Sequence, residues 1–528
     1  MKVVDFKIDL KWRILGLLLL LSFLYAFWQH FTSDILPIHE CRKSDSLTQA
    51  IQYMRGAKFL EPQTNWISPS GNRNAAAEFP IVYYILGQIW KITGYQLWIS
   101  KLLSLSILIV GVSSLHRLLF WIFESKNKAL IFAGVMFSAP VLIYYADTVL
   151  PNIYAFSFLL LAISACFSFV KNQHWLSYMA FTIFLSLAIL IKVTSLIAVL
   201  AFVGAYVLQV FISNNWKAVL RERRTYLIAL SGLLALGAAY FWYTYAIRYN
   251  EKYESTIFST TIRPIWEVDA AEQWRIIQLV CVEHLKEMYH QIILIPLVIL
   301  SFWALFKRNL PIYLRCLIVI SYLGLAAYFI LWFWVFDVHD YYFIEILFFP
   351  YVLIGLYMKY SDQFITNARW RKRISIAGLS LIFLNTVSYT QVAAGNQNII
   401  VKNTPLTSSF IRGNWGWFYF NQDETLGQIQ AQREDLKYLI GSNDTVFCFS
   451  DPYPNVHLTA IDRIGYSNYS LFRDQPFIPQ IQELIQKGAS KLLILQQDTA
   501  HVDIKPFLKH LLYKQKHVQL YDLKPFRK

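Results

Sequence analysis

Residues Trp175 to Ile212 read WLSYMAFTIFLSLAILI-K-VTSLIAVLAFVGAYVLQVFI and hold one charged side chain, Lys192, in 38 positions. A membrane-spanning helix needs about 20 mostly apolar residues, so the runs Trp175 to Ile191 and Val193 to Ile212 each read as one crossing, with Lys192 at the turn between them. Lys171 precedes the pair, and Lys217, Arg221, Arg223 and Arg224 follow it. Short basic loops mark the cytoplasmic side. Both outer ends of this stretch are therefore expected inside the cell and Lys192 near the opposite boundary.

The same alternation extends in both directions. Lys2, Lys7, Lys11 and Arg13 precede the apolar run Ile14 to Phe31; Arg117, Lys126 and Lys128, then Lys307 and Arg308, then Lys359, Arg369, Arg371, Lys372 and Arg373 mark further inner loops. Between them fall His39 to Asp45 with Glu78, then Asp147, then the loop Arg248 to His290, then His339 and Asp340. The remaining apolar runs are Leu97 to Phe123, Ala129 to Ala146, Ile153 to Val170, Tyr226 to Ile247, Ile292 to Phe306, Ile312 to Phe336, Tyr341 to Tyr357 and Ile374 to Ala394. The expectation is a polytopic α-helical membrane protein of about eleven spans, with thirteen as the upper count and the short run Phe79 to Gly94 read either as a span or as an interfacial helix. No small-residue cleavage site follows Ile14 to Phe31, which reads as an uncleaved first span. The N-terminus is expected inside, and every candidate for chemistry outside.

Composition agrees. Of 528 residues 56% are hydrophobic and only 15% charged, against about 25% charged in soluble domains. The formal net charge of +15 is spread over short loops and forms no stripe on a soluble domain, which argues against nucleic-acid binding. Cys41, Cys166, Cys281, Cys316 and Cys448 have no metal-like spacing and suggest no disulfide framework. No internal repeat of the kind that builds paired-half transporters is visible. After Ala394 the pattern changes: an amphipathic stretch Asp423 to Ile440, strand candidates Val446 to Ser450, Lys491 to Gln496 and Val518 to Leu523, and a helix candidate Pro479 to Gly488. The domains are thus read as 1–394, a transmembrane catalytic domain whose first extracytoplasmic loop is 32–96, and 395–528, a small extracytoplasmic α/β domain.

The densest charge in this apolar chain is the first outer loop, His39-Glu40-Cys41-Arg42-Lys43-Ser44-Asp45, followed by Glu78-Phe79-Pro80. Leu47, Ile51 and Met54 continue it at helical spacing, which suggests an amphipathic helix on the outer membrane face, with Asp45 either its N-cap or a working acid. Lys192 interrupts an apolar run, where an ionisable group is costly unless used or paired. Asp147 opens the second outer loop ahead of Pro151 and Asn152, and His339-Asp340-Tyr341-Tyr342 ends a span; an aromatic belt is the plain alternative for that last motif.

The His39-Glu40-x-Arg42-x-Ser44-Asp45 stretch with Glu78-Phe79-Pro80 resembles the first extracytoplasmic loop of GT-C membrane glycosyltransferases, within that class the bacterial relatives of protein O-mannosyltransferase and of the lipid A aminoarabinose transferase. The resemblance implies a GT-C fold and an inverting transfer of sugar from a polyisoprenyl-phosphate donor to an envelope lipid, glycan or protein acceptor. It implies a carboxylate base, and, because His39 stands where better-known members carry Asp, Glu40 and Asp45 both remain open for it, with Asp147 as a further acid. It implies donor-phosphate or substrate binding by His39, Arg42, Glu78, Lys192, His339 and Tyr342. No cofactor is required by the sequence; a divalent metal is left open, with Glu78 and His339 as the pair that would hold it. The location implied is a bacterial inner membrane with the site facing outward. A flippase or transporter for lipid-linked glycans, or a polymerase or ligase of them, is the alternative reading.

Overall fold

The computed structural model describes residues 9–31, 39–258, 262–393, 406, 426–451, 453–472 and 475–527. Two compact units emerge from its contacts: Met1–Phe31, Lys101–Trp242 and Thr261–Arg412 form the first, and Thr32–Ser100, Tyr243–Thr260 and Gly413–Lys528 the second. The junction at 394/395 and the start of the first loop at 32 lie outside the described residues.

Five described helices are long and apolar enough to cross a membrane: Leu97–Phe123, Pro151–Asn172, Val193–Ile212, Arg223–Lys252 and Ile312–Leu331. A sixth is added if Ala270–Met288 and Gln291–Leu305, bent by 97° at their junction, count as one span. The chain is an integral membrane protein. These unbroken helices are fewer than the apolar runs of the sequence because several runs are interrupted. Ile14 to Phe31 breaks at Ala26, whose backbone is left-handed (φ 59); Ala129 to Ala146 divides into Lys126–Met136 and Pro140–Tyr145, with Pro140 opening the second piece; Tyr341 to Tyr357 begins as a 3₁₀ turn, Asp340–Ile344, before the helix Phe348–Phe364. The helix Ile81–Thr93 has 13 residues and so reaches about 20 Å, short of a hydrocarbon core of about 30 Å. That fits the interfacial reading of the Phe79 to Gly94 run.

Within the first unit the helix Trp175–Ile191 ends at Lys192, whose extended backbone (φ −148, ψ 108) leads into a 3₁₀ turn, Val193–Ser195, and then the helix Leu196–Ile212. Only 28% of the most apolar window of Val193–Ile212 is buried. Leu200 and Phe211 are 60% and 68% exposed. Such faces would be aggregation sites in water; in lipid they are the ordinary outer surface.

The second unit is built on a five-stranded sheet, β1 Thr445–Cys448, β2 Gly465–Ser467, β3 Ala489–Leu495, β4 Leu511–Gln515 and β5 Val518–Asp522, in the order β2-β1-β3-β5-β4. β2, β1 and β3 run parallel, and β5 and β4 are added antiparallel. Alternation divides the core into two layers. Val446, Cys448, Leu493, Leu495, Val518 and Leu520 face Leu426, Ile429, Leu436 and Ile440; Phe447, Phe449, Leu492 and Ile494 face Ile481, Leu484 and Ile485 of the helix Phe477–Gln486. Three of these strands and the helix were legible in sequence; β2 has only three residues, and β4, LLYKQ, is mostly exposed.

First-loop residues complete this unit. Trp66 bridges Gly465 in parallel at the outer edge of β2, with Gly465 N donating to Asn65 O (3.0 Å) and Ile67 N to Gly465 O (2.7 Å). A Cβ at Gly465 would stand 1.8 Å from Val446 O, so only glycine allows this close approach. The helix Glu40–Met54 packs on Ile81–Thr93 across Gly87, where a Cβ would lie 2.6 Å from the Tyr53 Cβ.

Candidate active site

The helix Glu40–Met54 is polar in sequence yet buried without interruption from Lys43 to Tyr53. This corrects two expectations. The helix does not lie with one face in water, and it begins at Glu40 behind a left-handed His39 (φ 57), so Asp45 sits in its second turn and is not its N-cap. A buried polar helix must find partners for its side chains, and most are supplied here. Ser46 Oγ donates to Arg42 O (3.2 Å), Asn65 N to Thr48 Oγ1 (2.6 Å), and Gln52 Nε2 to Asn65 Oδ1 (2.6 Å). Ser44 Oγ and both ends of the Gln49 amide are buried with no hydrogen-bond partner among the described residues.

The charged groups around this helix are arranged by pairs. Arg42 Nη2 donates to both oxygens of Glu78, at 2.5 and 2.6 Å, and Tyr83 Oη donates to Glu78 Oε1. Asp45, 9% exposed, accepts a hydrogen bond from Asn455 Nδ2 at 2.8 Å. Asp451, also buried, accepts from the backbone N–H groups of Tyr453 (3.1 Å) and His457 (2.6 Å). Burial pushes the Asp45 carboxyl up to about 6, against the pull of Arg42 and Asn455 and with added push from Glu78 and Asp451. Burial likewise lifts Glu40 to about 7, opposed by Lys43 and aided by Asp451, and lifts Asp451 to about 7. Burial thus holds both first-loop acids above the ordinary carboxylate range, where either can take up a proton near neutral pH.

The other sequence candidates lie in the first unit. Lys192 places Nζ 4.2 Å from the centroid of the Tyr342 ring. His339 packs its ring against Tyr341 and Tyr342, centroids 5.2 and 6.0 Å apart. Asp147 follows the short helix Pro140–Tyr145 and is 1% exposed. Two buried acids stand beside these residues: Asp340, which the sequence showed within the His339 to Tyr342 motif without a role of its own, and Glu345, which was not singled out. Tyr145 Oη donates to Asp340 Oδ1 (2.5 Å), and Asn152 Nδ2 donates to Glu345 Oε1 (2.5 Å), whose second oxygen accepts from Tyr328 Oη (3.5 Å). The Lys192 ammonium also acts on Glu345 electrostatically. Glu345 had a signal in sequence, being the ionisable residue inside an apolar run. Asn455 and Asp451 had none, because they sit some 400 residues from the loop they serve.

Glu78 is poorly suited to hold a metal. Both its oxygens accept from Arg42, and Tyr83 donates to one of them as well. Among the described residues no group of three or more His, Cys, Asp or Glu side chains is gathered as a metal site.

No family model and no curated protein matches this sequence. Solved structures do. ArnT from Cupriavidus metallidurans in the apo state aligns with a TM-score of 0.58 at 10% identity, covering 97% of this chain and 98% of that one. ArnT from the same organism bound to undecaprenyl phosphate aligns with a TM-score of 0.56 at 10% identity over the same shares. Over nearly its whole length the chain is therefore similar in fold to ArnT, the GT-C fold that the first-loop motif had suggested.

Proposed function

We propose that this chain is an inverting glycosyltransferase that takes a sugar from a polyprenyl-phosphate donor and passes it to an envelope lipid, glycan or protein at the outer face of a bacterial inner membrane. The observation that carries this reading is a groove of about 440 Å³ in the first unit, lined by Val193, Leu196, Leu200, Ile320, Leu323 and Trp332 and almost wholly apolar. It begins at the residue next to Lys192. An apolar trough suits a long hydrocarbon chain, and Lys192, one residue before its first lining position, is the cation that would meet an anionic head. The likeness to ArnT, one of whose structures holds undecaprenyl phosphate, supports the same class of donor.

In this reading Lys192 binds the lipid phosphate, which is charged before and after transfer, so no acid is needed for its departure. Asp45 accepts the proton from the acceptor hydroxyl or amine as the new bond to the anomeric carbon forms and the bond to the phosphate oxygen breaks. Arg42 holds Glu78 and fixes the wall of the helix that carries Asp45. His339 and Tyr342 serve the donor side with Lys192. Asp147 and Glu40 are the alternative bases.

The test is release of polyprenyl phosphate from a polyprenyl-phosphate-linked sugar by the purified full-length chain in lipid nanodiscs. Turnover that vanishes with apolar-tail-free sugar phosphates, and donor affinity lowered about tenfold by Lys192→Ala, are expected. Equal use of tail-free donors, or no loss of affinity in the variant, would overturn the assignment of groove and cation.

A further inference from the structure

The Asp45 carboxylate is held by a residue from the far end of the chain. Asn455 is 1% exposed and donates from Nδ2 to Asp45 Oδ1 at 2.8 Å, while its own Oδ1 accepts the backbone N–H of Trp66 at 3.0 Å. That second bond fixes the amide: a backbone N–H can only donate, so the oxygen must face Trp66 and the NH₂ must face Asp45. Trp66 is itself immobilised. Its indole Nε1 donates to Ser470 Oγ (2.9 Å), and its neighbours pair with Gly465. Asn65, one residue earlier, donates to Leu458 O (3.3 Å) and is tied back to the Asp45 helix through Thr48 and Gln52.

We infer that Asn455 is a positioning residue for the proton acceptor: it orients the Asp45 carboxylate and favours its ionised form, so that the C-terminal segment sets the pH range in which the first loop works. This rests on the transferase reading above. The titratable groups that act on Asp45 are Arg42, on its own helix, which favours the charge, Glu78 and Asp451, which oppose it, and Cys41 one turn earlier, whose thiol is kept protonated by burial and the nearby acids. With two acids and burial pressing for the protonated form, the Asn455 donor at 2.8 Å joins Arg42 in favouring the charged one.

The experiment is a pH series of donor turnover by the full-length chain and two variants, with infrared titration of the Asp45 carboxyl assigned by comparison with Asp45→Asn. Asn455→Ala removes the donor. Asn455→Asp keeps an acceptor for Trp66 and the same shape, so it tests the same bond if the alanine variant fails to fold. Both should move the acid limb of kcat/KM and the Asp45 titration upward, by about one pH unit for Asn455→Ala and further for Asn455→Asp, whose own charge opposes Asp45. Turnover below the limb then falls about tenfold per unit, recovers at high pH, and leaves the KM for donor unchanged. A uniform loss at every pH, with the limb and the Asp45 titration unmoved, would overturn the inference. If the unaltered chain releases no polyprenyl phosphate, the transferase reading fails instead, and the infrared titration still decides whether Asn455 governs Asp45.

Discussion

The helices Glu40–Met54 and Val193–Ile212 invert each other. The first is polar along most of its length and buried from Lys43 to Tyr53; the second is almost purely apolar and has only 28% of its most apolar window buried. In a soluble protein the assignment would be the reverse. Lipid removes the penalty for exposing Leu200 or Phe211, so burial ceases to be what apolar residues compete for and becomes available to polar ones. The cost moves to hydrogen bonding, because each buried polar group on Glu40–Met54 must be paired or be used.

Four measurements would break or sharpen that contrast. The largest effect is expected at Asp45. Asp45→Asn keeps the shape and can still accept from Asn455, but loses proton acceptance, so donor turnover should fall by about 10² to 10⁴ with donor binding little changed; near-normal turnover would move the base to Glu40 or Asp147. Next is the Arg42–Glu78 pair, with side chains 19% and 10% exposed. Arg42→Ala removes the guanidinium from a largely buried carboxylate and should destabilise the protein by roughly 3 kcal/mol, read as a lowered unfolding midpoint in detergent. An unchanged midpoint would mean the pair is solvated.

The third effect is on pH. Glu40, Asp45 and Asp451 have folded-state pKa values of about 7, 6 and 7, all above the ordinary carboxylate range near 4. Groups raised in this sense lend stability that is complete below their unfolded values and is lost as pH rises through the folded ones. The unfolding temperature should therefore fall by several degrees, about 5 °C, between pH 5 and pH 8. A flat or rising profile over that interval would show that the acids are not buried as described. The smallest effect belongs to the apolar helix, where Phe211→Ala should change stability by less than about 0.5 kcal/mol. A loss of several kcal/mol there would mean that Phe211 packs against protein.

The sequence displayed the two helices unequally. Val193–Ile212 was legible because spanning length and composition alone define it. The polar helix was legible as a concentration of charge, and His39, Glu40, Arg42, Asp45 and Glu78 are indeed gathered about it in the second unit. What stayed hidden was long-range. Nothing near Asp45 in the chain announces Asn455, and a three-residue strand such as β2 has no periodicity to read. Of the two readings of Asp45, cap or working acid, the cap could not be set aside from sequence because a helix boundary set by a left-handed His39 leaves no mark in composition. Span counting faltered for a related reason: a single Ala26 in the left-handed region, or Pro140 after a short bend, divides an apolar run without making it less apolar.

The pairing of residues 65–67 with Gly465 has a consequence in time. Synthesis runs at roughly 5–20 residues per second, so the first-loop segment waits roughly 20 to 80 s after it leaves the ribosome before its partner exists. Throughout that interval the polar helix has neither the sheet edge nor Asn455 to settle against. The step that forms the acid-bearing helix in its final surroundings is therefore among the last in the life of a nascent chain, closing a loop of some 400 residues. A ribosome that stops short of Gly465 delivers the apolar spans to the lipid, yet leaves the first loop without the strand edge against which residues 65–67 pair.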